Sequence, residues 1–191
     1  METNRLEAFS DGVLAILITI LVLELKVPRG TDLEAIRPLL PVFLAYVLSF
    51  LYLGIYWNNH HHLLKAAKSV SGGILWANLH LLFWLSLFPF VTGWMGENHF
   101  ATLPTAVYGG VLLLAASAYF VLQGRIVAHE GRASRLAQAL GRDLKGKLSI
   151  VAYALGIGLA FVRPWAACVV YVAVALLWLI PDRRLARVVG E

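Results

Sequence analysis

Six apolar stretches, each near the length of a bilayer-crossing helix, constrain this chain more than any other feature. A hydrocarbon core takes roughly 20 helical residues at about 1.5 Å each, and the stretches fall at about 5–27, 37–59, 73–95, 103–124, 147–163 and 165–181. Helix-breaking residues separate them: Pro28 and Gly30 close the first, Pro38 and Pro41 open the second, Gly72 and Gly73 precede the third, and Pro104 opens the fourth. Arg163 and Pro164 form the tight turn between the last two. With 60% hydrophobic and 14% charged residues, against about 25% charged in soluble proteins, the chain reads as a polytopic all-α membrane protein, one domain over residues 1–191.

Charge placement sets the orientation. Arg5, Lys65, Lys68, Arg125, Arg132, Arg135, Arg142, Lys145, Lys147, Arg183, Arg184 and Arg187 fall on one side of a six-span arrangement, twelve of the sixteen bases. That side is expected to be cytoplasmic, with both termini there and the protein in the cell (plasma) membrane. Lys26, Arg29, Arg37 and Arg163 remain outside, partly offset by Glu24, Asp32 and Glu34. The basic balance, pI ≈ 9.6, therefore orients the chain in the bilayer and implies no nucleic-acid partner. Cys168 is the only cysteine, so no intrachain disulfide or thiol metal cluster is available. Glu2 and Glu7 replace a basic leader region, so the first helix is expected to be retained. Segment 124–147 carries Ile126, Leu136, Ala137, Leu140 and Leu144 among its bases, and reads either as a short amphipathic surface helix or as an ordinary positive-inside loop.

The first apolar helix holds the informative chemistry. At about 100° per residue, Phe9, Gly12, Ile16, Thr19, Ile20 and Leu23 fall in one uncharged arc, while Ser10, Asp11, Leu14, Ile18, Leu21 and Leu25 fall opposite. An ionisable group in a span costs about 2.5–3.5 kcal/mol on insertion scales, so Asp11 must face protein or water and find a partner. Its face is expected to pack within the subunit, which leaves Ile16 to face an axis. Without further information, an aliphatic row of this kind is more often packing or lipid contact.

Arg5, Phe9, Ser10, Asp11 and Gly12 reproduce the Arg-x-x-x-Phe-Ser-Asp-Gly signature at the cytoplasmic start of the first span. In this, in its six spans and in the Asn- and His-rich end of its second helix, the chain resembles the transmembrane protein 175 family. These are potassium channels of animal endosomes and lysosomes, with single-repeat bacterial relatives. The resemblance implies a homotetramer in which first helices line a central pore. It implies a constriction at Ile16, followed outward by Ile20 and Leu23, with the Thr19 hydroxyl available to a partly hydrated cation. Monovalent cations and the lipid bilayer are the expected partners, with permeating K+ expected in the pore, and no cofactor is called for.

No TVGYG-type carbonyl filter occurs, and no acid lies mid-span on the Ile16 face. Selection is then expected from a narrow apolar neck that enforces partial dehydration, which favours the more weakly hydrated K+ over Na+ and closes by dewetting. The second helix ends in Trp57, Asn58, Asn59, His60, His61 and His62. Successive histidines stand about 100° apart and cannot share one face as an i, i+4 zinc pair does. The reading preferred is a polar network in which one histidine, with Asn59 or Trp57, anchors Asp11, Ser10 or Arg5; histidines near neutrality would also make it sensitive to cytosolic pH.

Asn78 and His80 are expected to form a second buried polar pair between helices, with Ser86 in a similar role. Trp76, Trp84, Trp94, Trp165 and Trp178 read as interfacial anchors. Glu97 and His99 are expected to be solvated in the outer loop. Glu24 either draws cations to the mouth or pairs with Lys26 or Arg29. An ion-coupled transporter is the alternative function, but it would show Gly/Pro-broken helices in matching halves and a mid-bilayer acid. An enzyme would need base, nucleophile and pocket within mutual reach, and only isolated titratable groups are present.

Overall fold

The computed structural model describes residues 3–131, 134, 137–138, 141 and 143–179. The architecture is all-helical: α1 Thr3–Leu21, α2 Leu40–Lys65, α3 Gly72–Ser86, α4 Phe88–Glu97, α5 Thr102–Glu130, α6 Leu144–Ala160 and α7 Pro164–Leu179. The third apolar stretch is two helices, so these seven α-helices make six segments among the described residues. Among the described residues, four segments are long and apolar enough to cross a membrane: Thr3–Glu24, Leu33–Lys65, Gly72–Glu97 and Thr102–Glu130. α6 and α7, of 17 and 16 residues, span about 25 Å each at 1.5 Å per residue and form a hairpin packed on α5.

Several boundaries differ from the sequence expectation. α1 ends at Leu21, tightens into a 3-10 turn over Val22–Glu24, and turns extended at Leu25 (ψ 111°). Leu23 therefore lies past the regular helix, where the 100° wheel no longer applies. α2 opens from a 3-10 turn with Pro38 and Pro41 in its first positions, where a missing N–H costs nothing. It runs on to Lys65, so His60, His61 and His62 are helical. Pro89 breaks the third segment at Leu87, because proline cannot donate the helical hydrogen bond and its ring crowds the preceding turn. α5 continues to Glu130, so Arg125 and the buried Ile126 belong to a long helix and not to a separate surface helix. Beyond it, Ser134 accepts from the Ala137 N–H at 3.1 Å, with residues 137–138 helical. Arg132, Arg135, Leu136, Leu140, Arg142, Arg183, Arg184 and Arg187 lie outside the described residues.

The core is aromatic at its centre. Tyr52, Phe88, Tyr108, Tyr153 and Tyr171 are buried with ring centroids 6.0–6.4 Å apart along the chain of contacts. Each tyrosine hydroxyl buried in a bilayer needs a partner. Tyr52 donates to the Tyr171 carbonyl (2.6 Å), Tyr119 to the Asn59 carbonyl (3.1 Å) and Tyr171 to the Thr105 carbonyl (3.4 Å). The Thr92 hydroxyl donates to the Phe88 carbonyl at 2.6 Å, which leaves Ser49 to donate to Thr92 (2.6 Å) and Tyr108 to Ser49 (2.9 Å). These bonds tie α2 to α4, α5 and α7. α1 lies against α2, α3 and α4 at the side of this bundle.

Candidate functional site: the first helix and its anchors

α1 has one packed face and one bare face. Leu6, Ser10, Leu14, Leu17 and Leu21 recur every three or four residues and are buried. The opposite stripe, Arg5, Phe9, Gly12, Ile16, Thr19 and Ile20, is exposed from end to end, with Ile16 59% and Ile20 37% accessible and Leu23 beyond it 76%. A helix this apolar on its free side has a face that the fold of this chain does not cover. Thr19 donates its hydroxyl proton to the Ile16 carbonyl (2.8 Å), so its oxygen lone pairs remain outward.

The packed face is held at its N-terminal end by two polar systems. In the deeper one, Ser10 donates to the Leu6 carbonyl (2.9 Å), which leaves its oxygen to accept from Asn78 Nδ2 (2.9 Å). The Asn78 Oδ1 then accepts from His60 Nε2 (2.6 Å). The directions follow from the terminal carbonyl, which can only accept. They fix the His60 tautomer with its proton on Nε2, and its Nδ1 is buried without a hydrogen bond. Ser10, Asn78 and His60 come from α1, α3 and α2, and all three are buried.

The shallower system lies on the next side of α1. Trp57 Nε1 donates to Asp11 Oδ1 (3.1 Å), and His61 Nδ1 meets Glu7 Oε1 at 2.6 Å. The Trp57 and His61 rings stack at 6.4 Å. Glu7 and Asp11 are an i, i+4 pair on one helix, as are Trp57 and His61 on the other, so the two pairs meet as matched rows. Glu7 was missed from sequence. That doubled i, i+4 spacing of acids against Trp and His was the available signal.

Of the pairings left open, the structure thus has Trp57 on Asp11 and His60, through Asn78, on Ser10. Arg5 is exposed and has no ion pair among the described residues. Asn59 does not reach α1: its amide donates to the Ile55 carbonyl (2.8 Å) in its own helix. The expected Asn78–His80 pair is absent, because residues two apart on a helix point some 200° from one another. His80 is exposed and accepts from Trp84 Nε1 at 2.9 Å. Ser86 likewise bonds only its own helix, at the Phe83 carbonyl (2.7 Å). His62 lies against His61 edge to face, ring centroids 5.6 Å apart. Among the described residues no three His, Cys, Asp or Glu groups converge on one point.

Beyond the C-terminal end of α1, Glu97 is not simply solvated but pairs with Lys26 at 2.5 Å. Glu24 takes neither Lys26 nor Arg29; its carboxylate lies on the backbone of Gly93 in α4, where a Cβ would collide with it. Trp84 and Trp178 do more than mark an interface. Trp178 donates to Ser149 Oγ (2.8 Å), joining α7 to α6, with Lys145 over its ring at 4.6 Å.

Comparison with known proteins places this geometry in context. A family model described as endosomal/lysosomal potassium channel TMEM175 matches residues 5–89, which includes both anchor systems and the bare stripe. A potassium channel of Chryseobacterium sp. (strain P1-3) is 54% identical over 191 residues, covering all of both chains. One of Streptomyces collinus is 34% identical over 180 residues, 84% of each chain. The crystal structure of a lysosomal potassium-selective channel TMEM175 homolog from Chamaesiphon minutus superposes with a TM-score of 0.79 at 28% identity, over 94% of this chain and 97% of that one.

Proposed function

The chain belongs to the TMEM175 family of potassium channels, and from that premise we propose that four copies enclose a pore lined by α1, with Ile16 at its constriction. The observation that carries this reading is the bare, uncharged stripe of α1 from Phe9 to Ile20, on a helix whose carboxylates and serine are all turned to the opposite side and tied down. One α1 cannot enclose a channel, so copies must surround an axis. The number four rests on the likeness to bacterial members of the family.

In that arrangement Ile16 and Ile20 form an apolar neck, and Leu23, on the 3-10 turn, widens it outward. A neck without carbonyl or carboxylate ligands forces an ion to shed part of its water. K+, the more weakly hydrated ion, passes at lower cost than Na+, and divalent cations are rejected. The Thr19 oxygen, freed by donation of its proton to Ile16, supplies one acceptor just beyond the neck. Flux is passive. Coupled transport finds little support: the Pro89 break in the third segment has no counterpart in a second half among the described residues, and no acid lies mid-span on α1. The protein is an integral membrane protein; its basic loops support cytoplasmic termini, and the cell membrane is the location proposed for it.

Planar-bilayer recording of the purified protein in asymmetric K+ and Na+, wild type against Ile16→Asn, tests the reading. The polar neck is expected to raise conductance or erode K+/Na+ discrimination. Unchanged currents would move the constriction away from Ile16, and absence of current in both proteins would remove the channel.

A further inference from the structure

α1 is not the only helix with an unpartnered face. On α3 and α4, Trp76, His80, Phe83 and Phe90 form one exposed stripe. On α2, Phe43, Val47, Phe50 and Trp57 form another, interrupted by Gly54, whose missing side chain faces open space. Both keep the i, i+4, i+7 spacing of a helix-packing ridge. Aromatic and aliphatic stripes suit lipid equally well, but His80 does not. Trp84 Nε1 can only donate, so His80 Nε2 must accept it. A neutral imidazole then carries its proton on Nδ1, which has no acceptor among the described residues. The site lies eight residues, about 12 Å, into α3, where acyl chains offer nothing to accept it and an unsatisfied donor is costly.

An acceptor stands at the same depth on the other side of the molecule. The Ser10–Asn78–His60 bonds level these three residues, so at 1.5 Å per residue His80 is within about 3 Å of the level of Asp11 and Trp57. Asp11 uses Oδ1 for Trp57; Oδ2 has no partner among the described residues. His80 points some 200° away from Asn78, hence away from its own α1. The donor stripe and the acceptor stripe therefore cannot meet within one subunit but can meet between two. By the same count Gly54 comes level with Phe83, a gap opposite a large side chain.

We propose that the α3–α4 stripe of each subunit docks on the α2 stripe of a second copy of this chain, with His80 Nδ1 donating to the neighbour's Asp11 carboxylate and Phe83 seated over its Gly54. The contact is head-to-tail, so it propagates around a ring. It gives the first-helix signature a second duty, since the acid that Trp57 holds within one subunit also registers the next. The proposal rests on the oligomeric pore reading above.

Cysteine cross-linking in membranes tests it, in a Cys168→Ser background with Gly54→Cys and Phe83→Cys combined. Oxidation is expected to give a ladder from monomer to the full oligomer, at least tenfold stronger than in either single variant. His80→Phe is expected to lower the oligomer-to-monomer ratio at least tenfold by native mass measurement in detergent, while Trp84→Phe, which removes only the bond inside α3, leaves it unchanged. An oligomer that conducts but gives no double-variant ladder overturns the docking and spares the channel. Equal effects of His80→Phe and Trp84→Phe reduce His80 to a support for Trp84 and overturn the assignment. A monomer that passes no current overturns both readings.

Discussion

Asn78 is the residue on which the base of the first helix depends most. It joins three helices through two hydrogen bonds, donating to Ser10 and accepting from His60, and all three side chains are buried. Asn78→Leu keeps the volume and removes both bonds. His60, whose Nδ1 already lacks a partner, would lose its remaining one. An orphaned buried donor or acceptor costs about 1–3 kcal/mol, so thermal unfolding of the purified protein is expected at a clearly lower temperature. Ser86→Ala removes a hydroxyl that bonds only its own helix on an exposed face and is expected to leave the transition in place. Equal behaviour of the two variants would show that the Asn78 bonds carry no net stability.

Among the elements, the α5–α6–α7 layer is fitted around one side chain. The Tyr171 ring and hydroxyl lie directly over Gly109 of α5 and Gly156 of α6, so that a Cβ at either position would collide with them. Small residues are what let helices approach closely in a membrane, where lipid supplies no hydrophobic drive to push them together. Gly109→Ala is expected to destabilise by about 1–3 kcal/mol through overpacking. Gly110→Ala, next to it with nothing within 4 Å, is expected to be neutral or slightly stabilising, since alanine is the better helix former. Comparing the two unfolding midpoints separates packing from propensity. The same layer holds the buried tyrosines away from α1, so these variants are expected to change stability without changing ion selectivity.

For the whole molecule, the arrangement of bases makes an orientation in the membrane a testable expectation. Lys68, in the short link between α2 and α3, and the start of α1 share one side; Asp32, ahead of α2, lies on the other. With Cys168 replaced, Lys68→Cys is expected to react with an impermeant thiol reagent only in inside-out vesicles, and Asp32→Cys only in right-side-out ones. Reversed labelling would invert the pore and place Asp11 at its outer mouth. Lys68 is also tied down, since its backbone N–H donates to Glu130 (2.8 Å) and Ser69 meets His129 at 2.9 Å, so the link is expected to hold a fixed position against the end of α5.

The sequence by itself determined the helical segments and the division of α1 into two faces. Apolar run length, proline position and a 100° repeat are local properties that need no knowledge of neighbours. Pro38, Pro41, Gly72, Pro104 and Pro164 each open a helix near the expected place, and Ile16 and Ser10 fall on opposite faces, exposed and buried. Pro89 was equally visible, yet its break was not expected, because proline in a membrane helix is often accommodated and only its surroundings decide. The early end of α1 belongs with it, since Glu24 leaves the helical path to lie on Gly93 of another helix. The partners of the polar groups were decided by tertiary structure alone. Ser10, Asn78 and His60, or Glu7 and His61, are far apart in sequence, and which donor meets which acceptor depends on the depth and rotation at which helices pack. Asn78 and His80 looked like a pair because they are close along the chain, whereas on a helix that closeness puts them on opposite sides.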